Sequence, residues 1–400
     1  MVRKTDSDIA VSAPASKRLL SIDIIRGFLL LVIMVSHIEL PPNFYDFFTG
    51  RGRLFVSAAE GFFFMSGLLV GMVYKRKLDK GMKFIFKKMW GRAAELYIGS
   101  VILTLSVSFV VAKTNHFYIK EGLPNPVDWS HIIYQTLLLR FEYGWADFLG
   151  RFAILMLIAP FVFFLLTRGR WKLVLVGIIS AWVLRHNNFT LGWQILFNGG
   201  MLVGFYWKEL NAWWHHLAKH HRRNIKRAVI TVTAITFAYA YLVVYVLSEL
   251  NTFMAHLPIW LQHFTLSWNS FNKKIWVYND KWTMGPIRVI LFFFWASVGY
   301  MWVSRHETVI NQKTRGILLL IGQNSLFVYI YHSFIVLGFK YLIPPRTNIA
   351  ENFLIVSAGL ALLIGGTYAY RNFRTRRPGL SIANLYGFIF KKSRSIFQPR

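Results

Sequence analysis

The chain has 400 residues, 55% of them hydrophobic and 17% aromatic, with a mean hydropathy of +0.42, more apolar than an ordinary soluble domain. A net charge of +29 would suit nucleic acid if the Lys and Arg formed one patch; here they alternate with apolar runs, which argues against that partner. Cysteine is absent, so disulfides, thiolate metal sites and a Cys nucleophile are excluded.

Met1 to Arg18 is polar and reads as a cytoplasmic segment, not a cleavable signal, because the apolar stretch from Leu19 lacks a short core with a small-residue cleavage site. Runs near the roughly 20 residues that a bilayer demands then follow at 19–39, 54–74, 93–112, 147–167, 171–187, 189–207, 227–248, 287–304, 317–341 and 350–370. These runs lack the alternation of barrel strands, so the fold predicted is an all-α polytopic bundle of about ten spans over 19–370. Most of the 46 Lys and Arg fall in every second connection, notably Lys75 to Arg92, Lys208 to Arg227 and the basic tail 371–400. By the positive-inside rule both termini are cytoplasmic and the protein is a multi-pass inner-membrane one.

Two outer connections are long. The first, 113–146, contains Pro124, Pro126 and the partly apolar stretch 131–141, a candidate to dip into the interface. The second, 249–286, is rich in aromatics, among them Trp268 and Trp276, which suit either a membrane belt or the stacking of a sugar. The Trp213 to His221 stretch, WWHHLAKHH, reads as an interfacial helix and not a metal cluster.

Ionisable groups inside lipid cost several kcal/mol and need a partner or a task. The first span carries Asp23, Arg26 and His37. Arg26 and His37 are eleven residues apart, which returns to nearly the same helix face roughly 16 Å further along; Asp23 and Arg26 pair locally at i,i+3. Glu60 lies near the outer third of the second span among small residues, Arg92 opens the third, Asp147 opens the fourth, Gln194 lies in the outer half of the sixth, and His332 lies beside Tyr329 and Tyr331 in the ninth. Histidines and a carboxylate at outer depth, with arginines at inner depth, make an asymmetric polar path. A near-neutral histidine abstracts a hydroxyl proton and a neighbouring carboxylate fixes its tautomer; arginines at the other end suit phosphate.

The strings RLLSIDIIRGF…SHI, SAAEGFFFMSGLLVGMVY, RAAELY from Arg92, WADFLGRFAILMLIAP, LGWQILFNGGMLVG and GQNSLFVYIYHSF, in this order over 20–340, resemble the OpgC-type glucan succinyltransferases, a branch of the acyltransferase 3 membrane superfamily. The resemblance implies ten spans and an O-acyltransferase that moves an acyl group from cytoplasmic acyl-CoA, succinyl-CoA or acetyl-CoA, to a hydroxyl of a periplasmic glucan or other envelope glycan. By position it implies His37 as catalytic base, Glu60 and His332 in the same outer chamber, and Arg26 and Arg92 toward the CoA. Lys88 stands where relatives often have another arginine, so that cation is read as a point charge on the donor and not a bidentate phosphate clamp. Asp147, Gln194, Trp268 and Trp276 are the candidates for the acceptor; no metal and no permanently bound cofactor is expected. The competing class is a secondary transporter with a His/Glu/Arg relay, against which the lack of an inverted repeat counts.

Overall fold

The computed structural model describes residues 20–114, 123, 127–344 and 346–376. The predicted N-terminal segment 1–18, Pro124, Pro126 and the tail beyond 376 lie outside the described residues. Among the described residues every regular element is helical, as a membrane chain requires when lipid offers no partner for a free N–H or C=O.

The first half of the bundle is built from α1 (Leu20–Ile38), the short α2 (Asp46–Thr49), α3 (Ala58–Lys75), α4 (Met82–Thr114), the short α5 (Trp129–Leu137), α6 (Asp147–Thr167), α7 (Trp171–Val183) and α8 (Phe189–Phe205). The second half holds α9 (Trp207–His216), α10 (Lys219–Tyr241), α11 (Ser248–Thr252), α12 (Ile259–Tyr278), α13 (Pro286–Lys313), α14 (Ile317–Gln323), α15 (Ser325–Leu342) and α16 (Ile349–Arg376). A π-helical turn, Leu242–Leu247, joins α10 to α11 without a break.

Among the described residues, seven segments are long and apolar enough to cross a membrane: Leu20–Ile38, Met82–Lys113, Gly144–Thr167, Lys219–Thr252, Pro286–Lys313, Ser325–Leu342 and Ile349–Arg376. The other three predicted spans correspond to α3, α7 and α8, of 18, 13 and 17 residues. At ~1.5 Å per residue, α7 covers about 20 Å, short of the ~30 Å hydrocarbon core. α3 and α8 pack against each other so closely that a Cβ at Gly67 would collide with the Phe197 carbonyl, and one at Gly204 with the Leu68 carbonyl. Small residues at such a seam let two backbones touch, and dispersion replaces the hydrophobic drive that lipid does not supply.

The ninth predicted span, 317–341, is two helices. Asn324 folds its side chain back to donate to the Leu320 carbonyl at 2.8 Å, and the chain restarts at Ser325. The break delivers the Ser325 hydroxyl to Arg26 on α1. Further along the same two helices His37 meets His332, so α1 and α15 run parallel.

The predicted outer connections also contain structure that hydropathy does not show. α5 begins where the Asp128 carboxylate accepts the His131 N–H at 3.0 Å, and 249–286 contains the 20-residue α12. The loop after α1 is pinned from two sides: from α16 the Asn352 amide donates to the Pro42 carbonyl at 3.1 Å and the Ser357 hydroxyl lies 3.0 Å from that of Tyr45, while the Tyr241 and Tyr245 hydroxyls donate to the Phe47 and Asp46 carbonyls. That loop immediately follows His37 and fixes the end of the bundle where the histidines lie.

Candidate active site

His37 in the last turn of α1 and His332 in the middle of α15 are hydrogen-bonded, Nδ1 to Nε2, at 3.0 Å, with their rings stacked at 5.3 Å. His332 is 2% exposed. Its Nδ1 is buried beside the backbone of Val328 and Tyr329 one turn earlier. That Nδ1 has no hydrogen-bond partner among the described residues; in the tautomer that carries its proton there, His332 Nε2 accepts from His37 Nδ1 and the His37 Nε2 lone pair is left for a substrate. The Trp145 ring stands 6.2 Å from His37, and the Lys340 ammonium lies 5.2 Å over Trp145 while pairing with Glu39 at 2.7 Å.

The carboxylate predicted for this chamber has other partners. Glu60 closes a capping box with Ser57 at the start of α3 and accepts a hydrogen bond from Arg288 of α13. Arg288 also donates to the Asn279 carbonyl at 2.9 Å and to the Leu54 carbonyl at 3.4 Å. With Glu60 at 0% and Arg288 at 2% exposure, this is a fully enclosed ion pair clamping three segments, and the partner of His37 is a second histidine.

Arg26, Lys88 and Arg92, three residues predicted to meet a phosphorylated donor, line one cavity of about 510 Å³ together with Lys87 and Tyr74, a size within the ordinary range for ligand sites. Arg26 donates to Ser325, sits 3.9 Å from Asp23 and has its guanidinium 5.6 Å from the centre of the Phe62 ring. Arg92 pairs with Glu95 at 2.7 Å, also on the cavity wall. Phe148 and Tyr329 line the cavity as well, and the edge of Tyr329 contacts the His332 ring at 4.7 Å. A cationic cavity and a histidine pair thus lie on the two sides of one tyrosine.

The family model described as OpgC protein matches residues 18–375. The chain belongs to the OpgC protein family. It is therefore a multi-pass membrane transferase of a glucan-modifying family. No curated protein and no solved structure matches it.

The remaining predicted residues of this OpgC-family chain separate into two groups. Asp147 stays near the centre: it pairs with Arg151 at 2.8 Å, and Arg151 stacks 3.7 Å over Phe189, which accounts for an arginine that hydropathy alone leaves unexplained. Gln194 is engaged inside the α7–α8 hairpin, donating to the Ile178 carbonyl at 2.8 Å and accepting from Asn198 at 3.0 Å. Trp268 donates to the Tyr239 hydroxyl at 3.3 Å and Trp276 meets Phe55 edge-on at 6.4 Å, so both serve to seat α12.

Sequence reasoning missed Glu142. Its carboxylate accepts from Ser100 at 3.1 Å and lies against Gly150, where a Cβ would collide with it. Burial, and then the nearby Asp147 charge, push its pKa up to about 7. No local motif marks it, because its partners come from α4 and α6.

Proposed function

We propose that the protein is an acyl-CoA-dependent O-acyltransferase of the cytoplasmic membrane that transfers a succinyl group to a hydroxyl of a periplasmic glucan. Arg26, Lys87, Lys88 and Arg92 receive the phosphorylated head of the donor from the cytoplasmic side, and its thioester arm extends toward the histidines. The acceptor approaches from the opposite face, near Trp145 and Asp147. His37 Nε2 takes the proton of the sugar hydroxyl as its oxygen attacks the thioester carbonyl. The C–S bond then breaks, the ester forms, and the imidazolium returns the proton to the departing thiolate, so no covalent enzyme intermediate is needed. His332 accepts from His37 Nδ1 and holds the tautomer, the part that a carboxylate plays in other acyl-transfer sites.

The observation carrying this reading is the placement of four cations on a cavity that ends at the residue packed against the histidine pair. The test is purified protein in nanodiscs given labelled succinyl-CoA and a glucan oligosaccharide. Label reaches the glucan with the wild-type chain and not with His37→Ala. Transfer that survives His37→Ala overturns the assigned base; solute uptake without acyl-CoA turnover favours the transporter class instead.

A further inference from the structure

The cavity and the histidines are neighbours, yet neither His37 nor His332 lines the cavity wall. Tyr329 stands between them. Its ring stacks face to face on Phe148 at 5.0 Å and 13°, Phe148 is itself part of the wall, and its edge abuts His332. Its hydroxyl donates to the Trp145 carbonyl at 2.8 Å. Tyr329 is 2% exposed, so its ring is packed between the cavity wall and His332.

We propose that Tyr329 is a positioning residue that closes the donor cavity off from the histidine pair and that the segment around Trp145 holds it shut. The latch is a single hydrogen bond to a backbone carbonyl, and the ring of that same residue stands beside His37 under the Lys340 ammonium. A saccharide seated at Trp145 displaces this segment, frees the tyrosine hydroxyl, and lets the Tyr329 ring swing so that the thioester reaches His37. The partition has two physical uses. A continuous polar path across the bundle would leak ions, and an activated thioester beside a free imidazole would be lost to water before the acceptor arrived. The acceptor-triggered part rests on the proposed function; the partition itself does not.

The chain has no cysteine, which makes the partition directly testable. In sealed vesicles, a membrane-impermeant methanethiosulfonate is applied to the face carrying Lys75–Lys88, with the only cysteine introduced as His37→Cys beyond the tyrosine or as Ser66→Cys on the cavity wall. Tyr329→Phe keeps the ring and removes the latch; losing one such bond raises the open fraction about fivefold, and labelling of the His37→Cys chain accelerates by that factor. Tyr329→Ala accelerates it further, while labelling of the Ser66→Cys chain is the same in all three backgrounds. Equal rates for the His37→Cys chain with Tyr, Phe and Ala at 329 overturn the partition. A second measurement tests the trigger: a glucan oligosaccharide added on the opposite face accelerates labelling of the His37→Cys chain with Tyr at 329 and leaves it unchanged with Phe at 329. No acceleration with Tyr at 329 overturns the trigger. A wild-type chain inert toward succinyl-CoA with glucan overturns the proposed function, and the labelling rates still decide the partition.

Discussion

Replacing Glu142 by glutamine separates the effect of its charge from that of its shape. Glutamine keeps the acceptor oxygen for the Ser100 hydroxyl and removes the ionisation. Burial, with the Asp147 charge in support and Ser100 and Arg151 opposing, carries the Glu142 carboxyl from an ordinary 4.5 to about 7 in the folded chain. The folded state therefore holds this proton to higher pH than the unfolded state does. Stability from this group is full below pH 4.5, falls as the pH rises through the interval, and levels off above about 7. At ~1.4 kcal/mol for each factor of ten, the loss reaches about 3 kcal/mol. Unfolding of the wild-type chain and of Glu142→Gln in the same detergent, followed from pH 5 to pH 8.5, gives curves that nearly coincide at the acid end and separate toward the alkaline end, with the variant more stable by up to about 3 kcal/mol. Parallel curves across that range refute the assignment of the raised pKa to Glu142.

The enclosed pair Glu60–Arg288 predicts that Arg288→Met alone costs about 3–5 kcal/mol by stranding a carboxylate, and that adding Glu60→Gln restores much of it, measured as a double-mutant cycle on unfolding. Gly67→Val forces the α3–α8 seam apart at the Phe197 carbonyl and lowers the yield of folded protein in a size-exclusion assay, whereas Gly177→Ala, which meets open space, does not. Lys88→Ala raises the donor KM about threefold to tenfold with kcat nearly unchanged, and added salt reduces the difference, because the contact is a screened point charge. Gln194→Ala loosens the α7–α8 hairpin by about 1–2 kcal/mol while the glucan KM stays at the wild-type value, because its amide is committed to Ile178 and Asn198.

Hydropathy and charge made much of this fold legible. α1 begins and ends within about one residue of the predicted run, since a solitary apolar segment between polar flanks has few other ways to fold. The same-face spacing of Arg26 and His37 also survives, because 3.6 residues per turn is a local property. What the sequence conceals is pairing between distant segments. Glu60 and Arg288 are 228 positions apart, and nothing in either run announces the other. One part of the Glu60 environment was readable: Ser57-x-x-Glu60 has the spacing of a capping box, and that alone argues that one carboxylate oxygen serves the start of α3. The break at Asn324 was invisible to a hydropathy window, which scores the span as one run, whereas the chain is interrupted by a single side chain bonding back to Leu320.

The break matters for the site more than for the fold. Along α1, Arg26 and His37 are separated by roughly 16 Å; along α15, their partners Ser325 and His332 are only seven residues apart, about 10 Å of helix. A guanidinium and an imidazole that share a face of α1 are therefore both drawn toward a shorter interval on α15, with Tyr329 inside that interval. An uninterrupted helix would bury the Ser325 backbone N–H and hydroxyl in continuous α-helical register; beginning α15 at Ser325 instead places its hydroxyl where Arg26 reaches it. Ser325→Ala tests this economy. It removes the hydroxyl that accepts from the Arg26 Nη2 and keeps Asp23 beside the guanidinium, so it perturbs the donor end of α15 without changing the charge there. If Arg26 contacts the donor, the KM for acyl-CoA changes and the His37-dependent rate at saturation does not; a loss confined to kcat instead assigns the serine to alignment of the histidine pair through α15.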